Sequence, residues 1–509
     1  MVCVVYSALL HCLTGQIVQV EADISDGMPG MELVGFLGSE VKEARERVRM
    51  AIKNCGFPMP LRRITLNLSP ANIRKYGTGF DLPMAVAILQ AMGQIPQEAT
   101  EKAVFFGELN LSGAVTSING VLPLALCAKK AGFQRCFVPA ANAAEAVLAE
   151  DMEVYPVSSL HTLMNHLTGT ERIHCCKQDV DLSSKSPAYE YDLKYVQGQP
   201  IARRGLEIAA AGLHNIVMIG EPGAGKSMLS KCLPSILPPL NTEECLEVSS
   251  IYSVAGQLQE GCGLMRERPF VSPHHTVTEV AMTGGGIYPR GGLIALAHKG
   301  VLFLDEMPEF KRDALECLRQ PLEDREIRIN RSSGSYTYPA DFMLVGAMNP
   351  CPCGAYPDRK RCNCTSTQRR RYLERLSKPL MDRIDICIEV RNVAYEELIS
   401  DKRQEDSETV RKRVANAQEI QFARFKRAQF NARMSREQIE TYCRLDGGCE
   451  KIMERSFETY RLSARGYYRV LKVARTIADL DGEDTIREAH LIEALHFRYA
   501  DLLAEWKGV

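Results

Sequence analysis

The sequence lacks an excess of charge of either sign. Its 62 lysines and arginines are balanced by 63 aspartates and glutamates, which gives a formal net charge of −1. This balance excludes a chain that is basic over its whole surface, so any surface that binds nucleic acid must be local. Long apolar runs are also missing. No stretch approaches the roughly 18–20 apolar residues of a membrane-spanning helix, and we expect no membrane partner.

The sequence shows no internal repeat and no low-complexity tract, and we also expect no secretory signal. The apolar start Met1–Leu10 contains no basic residue, and no small-residue cleavage site follows it. We therefore expect a cytoplasmic protein. In a reducing cytosol a cluster among the 18 cysteines favours a metal site over disulfides.

The length of 509 residues favours about two to four domains. Residues 1–170 alternate strand and helix patterns and predict an α/β domain. The polar, aperiodic residues 171–195 predict a linker. Residues 196–392 alternate apolar strands with helices, the pattern of a parallel sheet covered on both faces, and residues 393–509 predict helices throughout.

Several segments have specific local signatures. Ser39–Asn54 predicts a helix with i,i+4 charge pairs, Ala103–Leu109 predicts a strand, and Ala141–Glu150 predicts a helix. Ser435–Gln438 and Thr485–Glu488 fit the capping-box pattern at helix starts.

A glycine-rich loop follows the apolar run Asn215–Ile219. Its residues are Gly220, Glu221, Pro222, Gly223, Ala224, Gly225, Lys226 and Ser227. The glycines let successive backbone amides point at phosphate oxygens, with a helix N-terminus behind them. Lys226 would supply positive charge to the β- and γ-phosphates and Ser227 a hydroxyl to Mg²⁺, which predicts an ATP–Mg²⁺ site.

Two further apolar strands end in polar side chains. After Val301–Leu304, Asp305 would hold the Mg²⁺ shell and Glu306 would orient the attacking water. After Phe342–Ala347, Asn349 could bond the γ-phosphate or the water without adding charge. An ordinary Asn-Pro turn is the alternative for Asn349.

These three elements resemble the AAA+ ATPases. The strings Ala281–Gly286, Ala297–Gly300 and Pro379–Asp385 are similar to the magnesium-chelatase-like branch, and the whole chain resembles its ComM/YifB family. The resemblance implies a P-loop AAA+ core with a helical lid, assembled into a hexameric ring with ATP at subunit interfaces. It also implies ATP hydrolysis coupled to remodelling or branch migration of branched or single-stranded DNA, as in competence and recombination.

The resemblance assigns two arginines. Arg383 would be the arginine finger that reaches a neighbouring subunit's γ-phosphate. The alternative is an ion pair within the chain, with Asp382 or Asp385. Arg465 matches the sensor-2 arginine that binds nucleotide at the start of a lid helix, and the alternative is an ordinary solvated arginine.

Ile327–Pro339 predicts a β-hairpin, because alternating residues flank a Ser-Gly turn. The related ATPases carry a hairpin at this place that projects into the pore of the ring, which would let Arg328 and Arg331 touch a threaded strand. An ordinary surface hairpin is the alternative.

The N-terminal domain resembles the proteolytic domain of Lon-type proteases. The catalytic serine of that family corresponds to Gly79 here and the lysine to Pro123, and neither side chain can attack a carbonyl or take a proton. Thr78 and Lys129 are conceivable substitutes, but nothing in the sequence places them together. We therefore expect a domain without protease activity that serves as a binding module or organises the ring.

Four cysteines follow Asn349 closely: Cys351, Cys353, Cys362 and Cys364. They could surround a structural Zn²⁺ in a knuckle at residues 351–364, although the C-x-C spacing is tighter than the usual C-x₂-C. Unmetallated reduced thiols are the alternative.

Basic residues outnumber acidic ones in two regions. Cys351–Arg383 includes Arg369, Arg370 and Arg371, and Ser407–Arg436 carries three interleaved phenylalanines, Phe422, Phe425 and Phe430. Such patches suit phosphate backbones, and a solvated helix face is the alternative in both places.

Two other functions stay open at this point. One is a motor subunit that inserts Mg²⁺ into a porphyrin, as in magnesium chelatase. The other is a protein-remodelling chaperone that uses the N-terminal domain as an adaptor. Stimulation of ATP hydrolysis by DNA would separate the DNA motor from both.

Overall fold

The computed structural model describes residues 2–176, 189–258, 264–286, 290–331, 334–393, 404–460 and 462–498. These residues form two compact units. The first comprises Met1–Lys185 and Thr242–Met265, and the second comprises Ser186–Asn241 and Arg266–Val509. Much of the expected linker (177–188) and parts of the expected lid (394–403, 461 and 499–509) lie outside the described residues.

The described residues of the first unit form nine strands: β1 Cys3–His11, β2 Thr14–Ser25, β3 Gly30–Val34, β4 Arg63–Ser69, β5 Ala103–Phe105, β6 Glu108–Leu109, β7 Val115–Thr116, β8 Arg135–Pro139 and β9 Glu153–Val157. Seven of them form one sheet in the order β3-β4-β2-β1-β5-β8-β9. The pairs β1–β2 and β2–β4 are antiparallel, and the other neighbours are parallel. The short strands β6 and β7 pair separately.

The helices of the first unit are Ser39–Asn54, Asp81–Ala91, Val121–Lys130, Ala143–Ala146, Leu160–Leu167 and Thr242–Ala255. The first has the predicted bounds, and it buries Val41, Ala44 and Val48 on one face. Two predictions were wrong in detail. The strand expected at Ala103–Leu109 is divided into β5 and β6, and the helix expected at Ala141–Glu150 is the single turn Ala143–Ala146 after a 3₁₀ turn.

The segment Thr242–Met265 belongs to the first unit, although its sequence position lies inside the expected ATPase core. Its helix packs against Val121–Lys130. The N–H of Gly120 donates to the carbonyl of Ser253 at 3.0 Å, and the Ser253 hydroxyl donates to the buried carboxylate of Glu145. The chain therefore enters the second unit, returns to the first, and enters the second again.

The second unit contains strands β10 Ile216–Gly220, β11 Phe270–Val271, β12 Gly284–Gly285, β13 Arg290–Gly291, β14 Val301–Leu304, β15 Glu326–Arg331, β16 Gly334–Pro339, β17 Met343–Met348 and β18 Ile386–Val390. Five of them form a parallel sheet in the order β11-β14-β17-β10-β18. The α/β class with a parallel sheet is thus confirmed. Strands β15 and β16 pair antiparallel, which confirms the predicted hairpin.

The helices of the second unit are Pro200–Gly212, Lys226–Lys231, Leu233–Ile236, Glu279–Thr283, Leu293–Leu296, Arg312–Glu316, Arg319–Asp324, Ser366–Leu373, Lys378–Met381, Ser407–Phe425, Arg436–Tyr442, Gly447–Thr459, Ala464–Leu480 and Glu488–His496. Ser435 caps its helix in a capping box with Gln438, as predicted. The last helix begins later than predicted, at Glu488, where the backbone N–H of Arg487 donates to Nδ1 of His490 at 3.1 Å. No described helix combines the length and the apolar character needed to cross a bilayer.

One hydrophobic core joins the parallel sheet to the C-terminal helices, and it includes Val345, Ile388, Val414 and Ile477. A buried ion cluster reinforces this junction around Asp385. Its carboxylate lies 3.4 Å from Nδ1 of His214 and 3.6 Å from Nε of Arg469, and it accepts from the N–H of Asn215 at 3.2 Å. Burial alone would raise the pKa of Asp385, but the hydrogen bond and charge of His214, with Arg469, hold it at about 2.

Candidate nucleotide site and cysteine cluster

The carboxyl ends of three neighbouring parallel strands bring the predicted site residues together. The phosphate loop follows β10, Asp305 follows β14, and Asn349 follows β17. Together they line one cavity of about 350 Å³, whose walls are Pro222, Gly223, Gly225, Lys226, Ser227, Met228, Asp305, Glu306, Met348 and Asn349. This is the edge at which parallel α/β sheets bind ligands.

Lys226 is held in the cavity by its own loop. Gly225, at φ 90°, turns the chain into the helix that begins at Lys226. The Lys226 ammonium donates to the carbonyls of Gly220 and Glu221, both at 2.8 Å, and to Oδ1 of Asn349 at 3.1 Å. Its side chain is almost fully buried, and burial lowers the Lys226 pKa against the pull of the nearby carboxylates, Asp305 first.

Two oxygen ligands lie side by side across the cavity. The Ser227 hydroxyl donates to Oδ2 of Asp305 at 2.7 Å, and Oδ1 of Asp305 accepts from the N–H of Glu306 at 2.9 Å. A hydroxyl and a carboxylate in this arrangement are ligands that Mg²⁺ accepts beside phosphate oxygens. The donor set therefore fits the expected metal.

Glu306 stands at the exposed side of the cavity. Its backbone is left-handed, with φ 51°, a conformation that costs a non-glycine residue about 1 kcal/mol and that clusters at functional sites. The carboxylate is 58% exposed, and its Oε2 lies 3.7 Å from Nδ1 of His275. His275 belongs to no motif, and sequence reasoning missed it.

Arg383 and Arg465 are not among the residues that line the cavity of their own chain. The Arg383 guanidinium is only 10% exposed, pairs with Oε1 of Glu323, and donates to the carbonyl of Pro379. Its partner is therefore neither Asp382 nor Asp385, the two considered from the sequence. Arg465 is exposed in the first turn of Ala464–Leu480, which Ser463 caps.

The arginines of the hairpin lie on exposed strand positions. Arg328 pairs with Glu326 on its own strand, and Arg331 ends β15 opposite Gly334. The tip residues 332 and 333 lie outside the described residues.

The four knuckle cysteines converge. Their sulfur atoms all lie within 4.8 Å of one another. Cys351 Sγ is 3.4 Å from Cys353 Sγ and 3.8 Å from Cys362 Sγ, and the last two are 3.6 Å apart. The backbone hydrogen bond from Ala355 lowers the pKa of Cys353 to about 6, so this sulfur readily becomes a thiolate.

The knuckle contacts the phosphate loop. Nη1 of Arg361 lies 3.3 Å from Oε2 of Glu221. Gly354, at φ 80°, packs so closely that a Cβ there would lie 2.6 Å from the ring of Pro222. No sequence motif indicated either contact.

The arginines beside the knuckle differ in availability. Arg369 stacks on Tyr356, with 4.1 Å from its Cζ to the ring centroid, and Arg370 pairs with Glu374 at 2.8 Å. Arg371 is exposed. Of the three, Arg371 is the one best placed to meet a partner.

Basic residues of the second region, Ser407–Arg436, form ion pairs within their own unit. Arg413 pairs with Glu207 at 2.6 Å, and Arg424 pairs with Asp479. Phe422 packs edge-on against Phe430, with ring centroids 5.3 Å apart. Phe425 packs edge-on against Tyr442, with ring centroids 5.6 Å apart. The phenylalanines of this region therefore contribute to packing within the unit.

No nucleophile stands at Gly79 or Pro123, the positions that the sequence led us to expect for a Lon-type catalytic pair. Pro123 is buried in the helix Val121–Lys130. Thr78 donates its hydroxyl to Glu108 at 2.5 Å, and Lys129 lies 3.5 Å from Asp151, so the two conceivable substitutes contact different partners.

Comparison with known proteins agrees with this geometry. Family models described as "Magnesium chelatase, subunit ChlI", "Subunit ChlI of Mg-chelatase" and "Magnesium chelatase, subunit ChlI C-terminal" match residues 192–398, 20–142 and 404–498. A magnesium-chelatase 67 kDa subunit of Chlorobaculum parvum is 26% identical over 165 residues, which cover 30% of this chain and 23% of that protein.

Several relatives match nearly the whole chain, and two of them illustrate the group. The uncharacterized protein YifB of Salmonella typhimurium is 42% identical over 490 residues, covering 96% of this chain and 95% of its own. The competence protein ComM of Haemophilus influenzae is 40% identical over 499 residues, covering 97% of each. With the phosphate loop, the paired carboxylates and the parallel sheet in place, the chain belongs to the ComM/YifB family of Mg-chelatase-like AAA+ ATPases.

Proposed function

We propose that this chain hydrolyses ATP in a hexameric ring and couples hydrolysis to remodelling or branch migration of DNA. The observation that carries the ATPase part is the single cavity shared by Lys226, Ser227, Asp305, Glu306 and Asn349. The DNA part rests on the relationship to ComM, which is named a competence protein, and on exposed arginines.

Each side chain has one task in this proposal. Lys226 and Asn349 bind the phosphates, and Ser227 with Asp305 would hold Mg²⁺. When bound, that ion neutralises charge that develops on phosphate oxygens. The exposed carboxylate of Glu306 orients the attacking water and accepts its proton. We assign this role to Glu306 because it lies at the open side of the cavity and is not one of the residues assigned to Mg²⁺.

A ring explains the position of Arg383. This arginine does not line the cavity of its own chain, but an arginine finger acts on the nucleotide of a neighbour. Its pairing with Glu323 would have to be exchanged for the phosphate contact on assembly. Arg465, exposed at a helix start, is the sensor-2 residue of the same proposal.

The DNA contacts are proposed for Arg328 and Arg331 on the hairpin and for Arg369, Arg370 and Arg371 beside the knuckle. Arg331 and Arg371 are the strongest candidates, since Arg328, Arg369 and Arg370 already contact side chains of their own unit. Each phosphate contact makes affinity depend more steeply on salt, because counterions are released.

The test compares ATP hydrolysis by the full chain with and without branched or single-stranded DNA, and measures DNA affinity against salt. We expect stimulation by DNA, and we expect Arg331→Glu and Arg371→Glu each to weaken binding and to lower the logarithmic salt slope by about 1. Lys451→Glu, the same charge change on an exposed helix position, is the control. A ring whose ATPase ignores every DNA form, and which binds none at low salt, would instead favour the chaperone.

A further inference from the structure

The knuckle segment has no regular structure of its own. Between β17, which ends at Met348, and the helix that begins at Ser366, every residue is described, and none belongs to a helix or strand. Its middle carries the charged residues Asp358, Arg359, Lys360 and Arg361. A loop of this composition has too little apolar surface to hold a fixed shape by burial alone. In small structures of this kind a bound metal commonly supplies the missing stability.

The geometry of the four sulfur atoms fits one metal ion. Four sulfurs at the Zn–S distance of about 2.3 Å from a tetrahedral ion are about 3.8 Å from one another. The three separations among Cys351, Cys353 and Cys362 are 3.4–3.8 Å, and Cys364 completes the set within 4.8 Å. A disulfide requires about 2.05 Å, so the cluster is not a pair of bridges.

The loop reaches the nucleotide cavity from two sides. Cys351 follows Asn349 by two residues, and Asn349 accepts the hydrogen bond of Lys226. Gly354 packs on the ring of Pro222, which lines the cavity. A movement of the loop would therefore displace both Asn349 and Pro222, which line the cavity.

We propose that Cys351, Cys353, Cys362 and Cys364 bind one Zn²⁺, and that this ion sets nucleotide affinity by fixing the contact between Gly354 and Pro222 and the position of Asn349. The ion is closed to substrate, because four thiolates leave no open coordination position. The proposal rests on nucleotide binding at the phosphate loop and is independent of the DNA partner.

The experiment uses the full chain purified without chelator. Zinc content is measured by mass spectrometry, and affinity for a fluorescent ATP analogue is measured with Mg²⁺ in excess. We expect about one zinc per chain, and we expect Cys362→Ser and Cys364→Ser to lose it and to bind nucleotide about tenfold to a hundredfold more weakly, as expected for misplaced binding groups. Cys317→Ser, at a half-buried cysteine of the same unit, is the matched control and should change neither quantity.

Two further arms separate coupling from unfolding. Removing zinc from the unaltered chain with a chelator, then restoring excess Mg²⁺, should lower nucleotide affinity, and added Zn²⁺ should restore it. Gly354→Ala should keep zinc but weaken nucleotide binding, because its Cβ would collide with Pro222. A metal-free, folded chain with full nucleotide affinity would overturn the proposal. If Lys226→Ala abolished nucleotide binding by such a metal-free chain, the proposed ATPase function would remain supported and only the zinc proposal would be wrong.

Discussion

Lys226→Ala and Glu306→Gln should separate nucleotide binding from turnover. The Lys226 ammonium is buried among the carbonyls of Gly220 and Glu221 and the amide of Asn349, so it is already placed for a phosphate. A hydrogen bond to a charged group is worth about 1.5–3 kcal/mol. Losing one or two such bonds therefore lowers ATP affinity about tenfold to roughly 20,000-fold.

Glu306→Gln acts differently, because the side chain is exposed and is not a ligand of the phosphates in our assignment. The amide keeps the volume but cannot accept the proton of water. We expect ATP affinity to stay within about threefold, while turnover falls about 10²–10⁴-fold, the usual contribution of a general base.

The assay is titration of each variant with ATP and Mg²⁺, followed by phosphate release in single turnover. Lys226→Ala removes a donor from the carbonyls of Gly220 and Glu221, although the Glu221 carbonyl keeps the N–H of Ala224 at 3.2 Å. A carbonyl left unsatisfied costs about 1–3 kcal/mol of stability, so thermal unfolding must be recorded beside binding. Equal binding defects in the two variants, at equal stability, would refute the assignment of roles.

Two other predictions concern Arg383 and Asp385. Arg383→Ala should bind ATP almost normally as an isolated subunit but lose about a thousandfold in hydrolysis by the ring, and mixing it with Glu306→Gln subunits should restore part of the activity; an unfolded monomer would instead show that the pair with Glu323 is structural. The pKa of Asp385 is about 2 in the folded chain, below its ordinary 3.8, so its ionised form contributes roughly 2 kcal/mol of stability above about pH 4, which is lost as the pH falls through 2. Asp385→Asn should lower the melting temperature at pH 7 and flatten its fall between pH 4 and pH 2, whereas an unchanged profile would contradict the pKa.

The phosphate loop and the strand before Asp305 could be predicted from sequence because local spacing alone defines them. The same holds for Ser39–Asn54, whose buried positions recur with the helical period. The hairpin also follows from its alternation and turn. These features depend on residues that are close together in the chain.

The remaining features depend on residues far apart in the sequence. No local pattern indicates that Arg413 pairs with Glu207 or that Arg383 pairs with Glu323. The sequence therefore overstated how many basic side chains are free to bind a phosphate backbone. The convergence of the cysteines was predictable, but the contact between Gly354 and Pro222 was not, since 132 residues separate the two positions in the sequence. The cap predicted at Thr485 was wrong: the helix begins at Glu488, and His490 accepts from the backbone N–H of Arg487, a bond that no capping-box pattern indicates.

Because Thr242–Met265 belongs to the first unit, the N-terminal part of this protein cannot simply be removed, either by truncation or in evolution. A chain truncated to begin at Tyr189 would retain every strand of the parallel sheet, yet the helix Thr242–Ala255 would lose the helix Val121–Lys130 that it packs against. Ser253 would then lose its hydrogen-bond partners Gly120 and Glu145, and the apolar side of its helix would lose the cover of that neighbour. Exposed apolar surface promotes aggregation. The N-terminal unit therefore cannot be deleted without a change elsewhere. A relative that lost it would also need a different sequence at Thr242–Met265, the segment that packs within that unit.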